Sequence, residues 1–207
     1  AHAFVWTQVD EGGDWILRIW YREIAGQQKR YCPLVNNMAD TRMDLPLILA
    51  EELDADWSKV KVEFAPPIPK IYGNPNPLLN GGQASLASIA VAGYYTPLRM
   101  AGAQARRVLI DSVAQSWKVP ASDLRTENGR VIHDKSGQRI SYGEIAKFAT
   151  VPAEPPKIAA ADLKKPAEFR LIGRKDIGRI DVPSKVNGTA IYGIDAQVPG
   201  MVYASML

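Results

Sequence analysis

The stretch from Tyr94 to Pro120, YYTPLRMAGAQARRVLIDSVAQSWKVP, decides the fold. Leu98, Ala101, Ala105, Val108, Leu109, Val113 and Trp117 recur at threes and fours, while Arg99, Arg106, Arg107 and Asp111 fall largely elsewhere on the helical wheel. This spacing predicts an amphipathic helix that ends at Pro120, with Arg107 and Asp111 one turn apart and able to pair. Tyr94-Tyr95 stand before that pattern and are expected to lie in the core beneath the helix, since aromatic rings placed there bury well.

Upstream, Phe4 to Val9 and Trp15 to Tyr21 alternate apolar and polar residues around Asp10-Glu11-Gly12-Gly13-Asp14, a hairpin pattern. Residues 22 to 43 read as loop. Asp44-Leu45-Pro46 reads as a helix entrance, Asp44 as N-cap and proline in the first turn, leading into Leu47 to Leu53. Val60 to Phe64 alternates as a strand does, and the proline-rich APPIPKIYGNPNP at 65–77 predicts an extended connection, followed by the permissive pair Gly81-Gly82.

Downstream, Asn128-Gly129 between Leu124-Arg125-Thr126 and Val131-Ile132-His133 predicts a tight hairpin. Ser141-Tyr142-Gly143-Glu144 predicts a capping box and a short helix through Phe148. The four prolines of VPAEPPKIAAADLKKP mark 151–166 as a linker between a first unit, 1–150, and a second, 167–207. Val198-Pro199-Gly200-Met201 predicts a turn, and 201–207 then reads as apolar extended chain, a strand that needs a partner. The pattern as a whole gives an α+β fold, with helices packed on small mixed or antiparallel sheets.

Composition removes several function classes. With 46% apolar and 23% charged residues in 207, the chain is neither disordered nor collagen-like. A net charge of +3, spread over short pairs such as Lys29-Arg30 and Arg106-Arg107, is a solvated surface and no nucleic-acid track. One cysteine, Cys32, and two histidines exclude an internal disulfide and a tetrahedral Cys/His zinc site.

Residues that could carry chemistry are few. Glu51, Glu52, Asp54 and Asp56 lack an octahedral or calcium-loop spacing and are expected to form a solvated helix end. His133 beside Asp134 has no nucleophile context and is expected on the hairpin surface. The IGRKDIGRID segment lacks a complete dinucleotide fingerprint. No catalytic and no metal-ligating residues are assigned.

From Asp181 to Ala190, DVPSKVNGTA, with Phe169 to Gly173 before it and Asp195 to Ala204 after it, the sequence resembles the entry to the hammerhead-type β domain of the xanthine dehydrogenase and aldehyde oxidoreductase family of molybdenum hydroxylases. LILAEELDADW at 47–57, YYTPLRMAGAQARRVL from Tyr94 and RISYGEIAKFA from Arg139 resemble, in order, the isoquinoline 1-oxidoreductase beta-subunit type. The resemblance covers residues 44 to 207 and implies the N-terminal portion of a large subunit, inactive alone. It implies a molybdenum-molybdopterin cofactor and hydroxylation of aldehydes or N-heterocycles with water as oxygen source. Its catalytic glutamate would stand beyond Leu207.

The resemblance further implies, as partners, the remainder of the large subunit or a second chain and an iron–sulfur subunit. A cytochrome c is another partner it allows. The implied location is periplasmic, or membrane-associated on the periplasmic side, with the cytoplasm as alternative. Two departures stand out. The family's Glu-Met-Gly-Gln-Gly is replaced by Asn36-Asn37-Met38-Ala39-Asp40, and its Thr-Gly-Gly-Ser-Thr-Ser by Ser85-Leu86-Ala87-Ser88-Ile89-Ala90 behind Gln83-Ala84. Gly82, Gln83, Ser85 and Ser88 are the candidate cofactor contacts; the polar ones can equally cap the following helix. With the glycines replaced, a scaffold or subunit-interaction module without the cofactor is the alternative function.

Overall fold

The computed structural model describes residues 2–9, 15–22, 28–30, 39–60, 69, 73–83, 89–150, 152–178, 182–192, 195, 197–202 and 204. The alternating N-terminal segments form the expected hairpin, β1 (His2–Val9) antiparallel to β2 (Trp15–Arg22), with Val9 opposite Trp15 and His2 opposite Arg22. A short β3 (Gln28–Arg30) adds to β2 in a segment read as loop, so the first sheet has the order β1-β2-β3.

Two helices form the centre. Helix α1 spans Ala39–Leu53 and begins upstream of the expected entrance: Asp44 is inside the helix, not its cap, and Pro46 is tolerated within it at the loss of one helical hydrogen bond. It ends on Asp54, whose left-handed φ of 58° turns the chain out while the Ala55 amide donates back to the Ala50 carbonyl at 3.0 Å. Helix α2 spans Ile89–Trp117. It carries the expected apolar stripe but starts earlier, so that Tyr94 and Tyr95 lie inside it rather than before it. Lys118 takes the left-handed φ of 56° that stops α2 just ahead of Pro120.

Helices α1 and α2 cross at Gly102. A β-carbon there would come within 2.6 Å of the Leu49 carbonyl oxygen and 2.8 Å of the Glu52 β-carbon, so the missing side chain is what lets the helices approach. Below the crossing, Leu53, Leu109, Val113, Leu124, Val131, Tyr142 and Ile145 make one core cluster; above it Leu45, Ile48, Tyr94 and Leu98 make a second. Burial pushes the Tyr94 phenol up to about 12.

The second sheet is the predicted hairpin extended by one strand: β4 (Leu124–Glu127), β5 (Arg130–His133) and β6 (Gln138–Ser141), all antiparallel. Asn128 and Gly129 hold φ of 45° and 69°, the pair of positive values a two-residue turn requires. Ser141 and Glu144 form the expected capping box of α3 (Tyr142–Ile145). The Arg107–Asp111 pair forms at 2.9 Å.

Downstream, α4 (Val182–Val186) stands where the resemblance implies entry to a β domain. Among the described residues of 167–204 there is no strand. Pro183 sits in the first turn of α4 and Gly188, at φ 77°, follows its end, so this stretch carries its own helix signals. The turn at Pro199-Gly200 forms, the Met201 amide donating to the Val198 carbonyl at 2.9 Å, but Met201 and Val202 beyond it are exposed and unpaired in any sheet. The expected strand at 60–64 lies, past Val60, outside the described residues, as do the terminal residues 205–207.

Candidate functional site

The helix end expected in solvent is instead the most buried polar cluster among the described residues. Glu51, Glu52 and Asp54 are 1%, 0% and 6% exposed, and only Asp56 stays near the surface, capping a short 3-10 turn. Sequence spacing hid this, because what buries these carboxylates is a segment more than 100 residues away. Lys164, 8% exposed at its side chain, reaches Glu51 Oε1 at 2.9 Å and Asp54 Oδ1 at 2.5 Å through Nζ, which also donates to the Glu51 carbonyl at 2.6 Å.

The backbone amides of Arg170, Leu171 and Ile172 donate to Glu51 Oε2 at 2.9, 2.6 and 2.9 Å. Burial alone would raise the Glu51 pKa. The Ile172 and Leu171 amides, Lys164 and the Arg170 amide outweigh that and hold it below the ordinary carboxylate value. Glu52 accepts Arg99 Nε at 2.7 Å and the Lys164 amide at 3.3 Å, with Arg106 3.9 Å away. Arg99 also donates to the Lys164 carbonyl and lies over the Tyr95 and Phe169 rings, 5.2 and 5.5 Å from their centroids.

Asp54, placed by its left-handed backbone, accepts from the Thr126 hydroxyl and from Arg170 besides Lys164, with Arg106 3.5 Å off. Its pKa is likewise lowered, because Lys164, Thr126 and Arg170 together outweigh burial. Tyr142 donates its hydroxyl to the Leu53 carbonyl at 2.7 Å beneath the cluster, and burial first, then the Asp54 charge, pushes its pKa up. Every carboxylate in the group is met by cations or amides, so the arrangement binds chain to chain; it presents neither a free base nor a vacant ligand set.

His133 was expected on the surface and is buried, 8% exposed. Val131 and Ile132 beside it are buried too, and its Nδ1 meets the Ser136 hydroxyl at 2.7 Å. Asp134 turns away to Arg125 at 2.8 Å, so the two do not form a base and its orienting acid.

Of the candidate cofactor contacts, Gly82 and half-buried Gln83 are described, while Ser85 and Ser88 lie outside the described residues. The loop before them is held by its own hydrogen bonds. Asn74, fully buried, donates through Nδ2 to the Ile89 carbonyl at 3.3 Å and accepts from the Asn76 amide at 2.9 Å; its own amide donates to the Gly82 carbonyl at 3.0 Å. A cleft of about 760 Å³ opens between Pro69, Gly73, Asn76 and Gly81, and no charged side chain is among the described residues that line it.

The glycines of this loop serve the loop. A β-carbon on Gly73 would sit 2.0 Å from the Gly81 carbonyl oxygen, and one on Gly82 would sit 2.9 Å from that of Leu79; only Gly81, at φ 75°, faces open space. A pterin with its phosphate needs backbone opened toward the ligand and donors or cations to receive the anion. The described residues here do not fit that requirement.

No family model matches the chain. Among curated proteins, the beta subunit of isoquinoline 1-oxidoreductase from Brevundimonas diminuta is 41% identical over 203 residues, covering 84% of this chain and 26% of that protein. A membrane-bound aldehyde dehydrogenase from Gluconacetobacter polyoxogenes, named for pyrroloquinoline quinone, is 36% identical over 77% of this chain and 19% of its own length. A nicotinate dehydrogenase subunit from Pseudomonas putida (strain KT2440) is 31% identical over 80% of this chain and 13% of its own. The chain thus spans about a quarter or less of the length of these relatives. Over the portion they share, it belongs with the molybdenum hydroxylase large subunits, of the isoquinoline 1-oxidoreductase beta-subunit type.

Proposed function

We propose that this chain is the N-terminal portion of a molybdenum hydroxylase large subunit that inserts oxygen from water at an electrophilic carbon of an aldehyde or N-heterocycle. The observation that carries the reading is the 41% identity to an oxidoreductase beta subunit over 84% of the chain. Enzymes of this family use a molybdenum cofactor. The chain is inactive alone in this reading, with the base that activates the reacting oxygen supplied by a later part of the subunit.

Its own contribution is a scaffold. The α1–α2 crossing and the buried carboxylates fix the geometry of the unit, and Gly82, Gln83, Ser85 and Ser88, which stand in place of the family's glycine-rich segment, leave the enclosing of the cofactor to the remainder of the subunit. Exposed apolar side chains downstream, Val186 at 78%, Ile191 at 83% and Val202 at 84%, offer surface to the remainder of the subunit. Residues 151–166 lead from the unit 1–150 to the start of a hammerhead domain at 167–207, and they pack on the first unit through Pro156 and Lys164 instead of standing apart from it.

Electrons leave through an iron–sulfur subunit, with a cytochrome c as a further acceptor, and the assembly works in the periplasm or on the periplasmic side of the membrane. One relative is named membrane-bound; among the described residues no helix is long and apolar enough to cross a membrane. A second reading, a subunit-interaction module without cofactor, is favoured by one observation, the loop glycines filled by the loop's own carbonyls. Turnover separates the two. The complete subunit with its co-purifying chains is expected to oxidise an aldehyde or N-heterocycle with an artificial electron acceptor; stable assembly without turnover of either class supports the second reading.

A further inference from the structure

Residues 156–172 run back across both central helices, and most of what holds them there is polar. Gln104 of α2 donates to the Pro156 carbonyl at 3.2 Å, Lys164 enters the carboxylate cluster, and Leu163 and Leu171 are the buried apolar anchors. The three consecutive amides of Arg170, Leu171 and Ile172 converge on a single oxygen of Glu51. Successive amides aimed at one point form a receptor for an anion. In this chain the anion is a side chain of its own helix.

We propose that Glu51 is a built-in anion that latches the strap of residues 164–172 onto α1, so that the strap's attachment, and with it the direction in which the chain leaves past Gly173, depends on the charge of this one carboxylate. The proposal does not rest on the enzymatic reading. The geometry separates the latch from the rest of the cluster: Glu52 is tied mainly to α2 through Arg99, whereas among the described residues Glu51 receives nothing from α2 and meets the strap alone, through Lys164 and the three amides. Asp54 bridges, meeting Lys164 and Arg170 of the strap, Arg106 of α2 and Thr126 of β4. The Asp54 charge also acts on the Tyr142 hydroxyl of α3, which donates to the Leu53 carbonyl. A carboxylate removed, or protonated, leaves three amides and an ammonium facing an empty or neutral position.

Amide hydrogen exchange of the whole chain, corrected for intrinsic rates, tests this. At about pH 7 the amides of Arg170, Leu171 and Ile172 should be protected, and Glu51→Ala should speed their exchange by roughly a hundredfold or more while those of Leu109 to Val113 in α2 change little, because local openings differ from global unfolding. Formate at about 0.1 M, small enough to sit in the vacated receptor, should slow exchange in Glu51→Ala by roughly tenfold and leave the unmodified chain unchanged. Equal exchange at 170–172 in the two proteins, or no effect of formate on a folded Glu51→Ala chain, overturns the proposal. Should Glu51→Ala fail to fold, the unmodified chain carries the test: on lowering the pH to about 3, the 170–172 amides should lose protection before α2 does, since that lies below the ordinary carboxylate pKa. Simultaneous loss overturns it.

Discussion

The Glu51 carboxylate accepts the Leu171 amide at 2.6 Å across 120 residues of sequence, and this contact explains why an acidic pair in a helix can be fully buried. A lone carboxylate at such a position would cost several kcal/mol in lost hydration. Three amides and the Lys164 ammonium offset that cost, and they do so only if the strap is in place. Burial of the acid and docking of the strap are therefore one event.

Removing the acid should cost more than removing its cation. Glu51→Ala leaves Lys164 buried without one of its carboxylates and three amides without an acceptor, a loss of about 3–5 kcal/mol. Lys164→Met leaves Glu51 with all three amides and Asp54 with Arg170, so the loss should be smaller. Urea unfolding of the two variants measures the order; a larger loss for Lys164→Met contradicts it.

The same cluster sets an acid limit. Glu51 and Asp54 have folded pKa values below their ordinary 4.5 and 3.8, so the unfolded chain binds more protons in this range. Their contribution is complete above about pH 5 and is lost as pH falls through the depressed folded values. Unfolding midpoints taken downward from neutral pH should drop steeply below about pH 4, and more shallowly for Glu51→Gln. Parallel curves for the two proteins would argue that Glu51 carries no linkage.

At the helix crossing, Gly102→Ala drives a methyl into the Leu49 carbonyl and the Glu52 stem and should destabilise by about 1–3 kcal/mol, against the usual gain of alanine over glycine in a helix. An unchanged or raised melting temperature would mean that the helices separate freely at this point.

Two further substitutions bracket the scale. Tyr142→Phe removes the hydroxyl that serves the buried Leu53 carbonyl and should cost about 1 kcal/mol. Arg107→Ala removes an exposed pair one turn long and should cost about 0.2–0.5 kcal/mol. Denaturant titration resolves the first and barely registers the second; equal losses would put the Tyr142 hydroxyl in solvent.

What could be read from the sequence was local. The α2 stripe, the Asn128-Gly129 turn and the Ser141–Glu144 box each declare themselves within a few residues, and each forms. Helix starts were less legible: Asp44-Pro46 carries entrance signals, yet the helix continues through them to Ala39, since one proline costs a single hydrogen bond that the rest of α1 absorbs. The carboxylate cluster is hidden in the sequence because Glu51 and Glu52 look like any charged helix end until residues 164–172 return over them. The proline count that suggested a spacer at 151–166 says nothing of where Lys164 goes. His133 was hidden in the same way, its burial set by the strands around it and by no residue next to it.

The molybdenum content of the complete subunit, purified with the chains that accompany it, tests the central functional claim most directly. The account predicts close to one molybdenum per complex, retained in Gln83→Ala because this loop does not enclose the cofactor. A fully assembled complex with no molybdenum would contradict it.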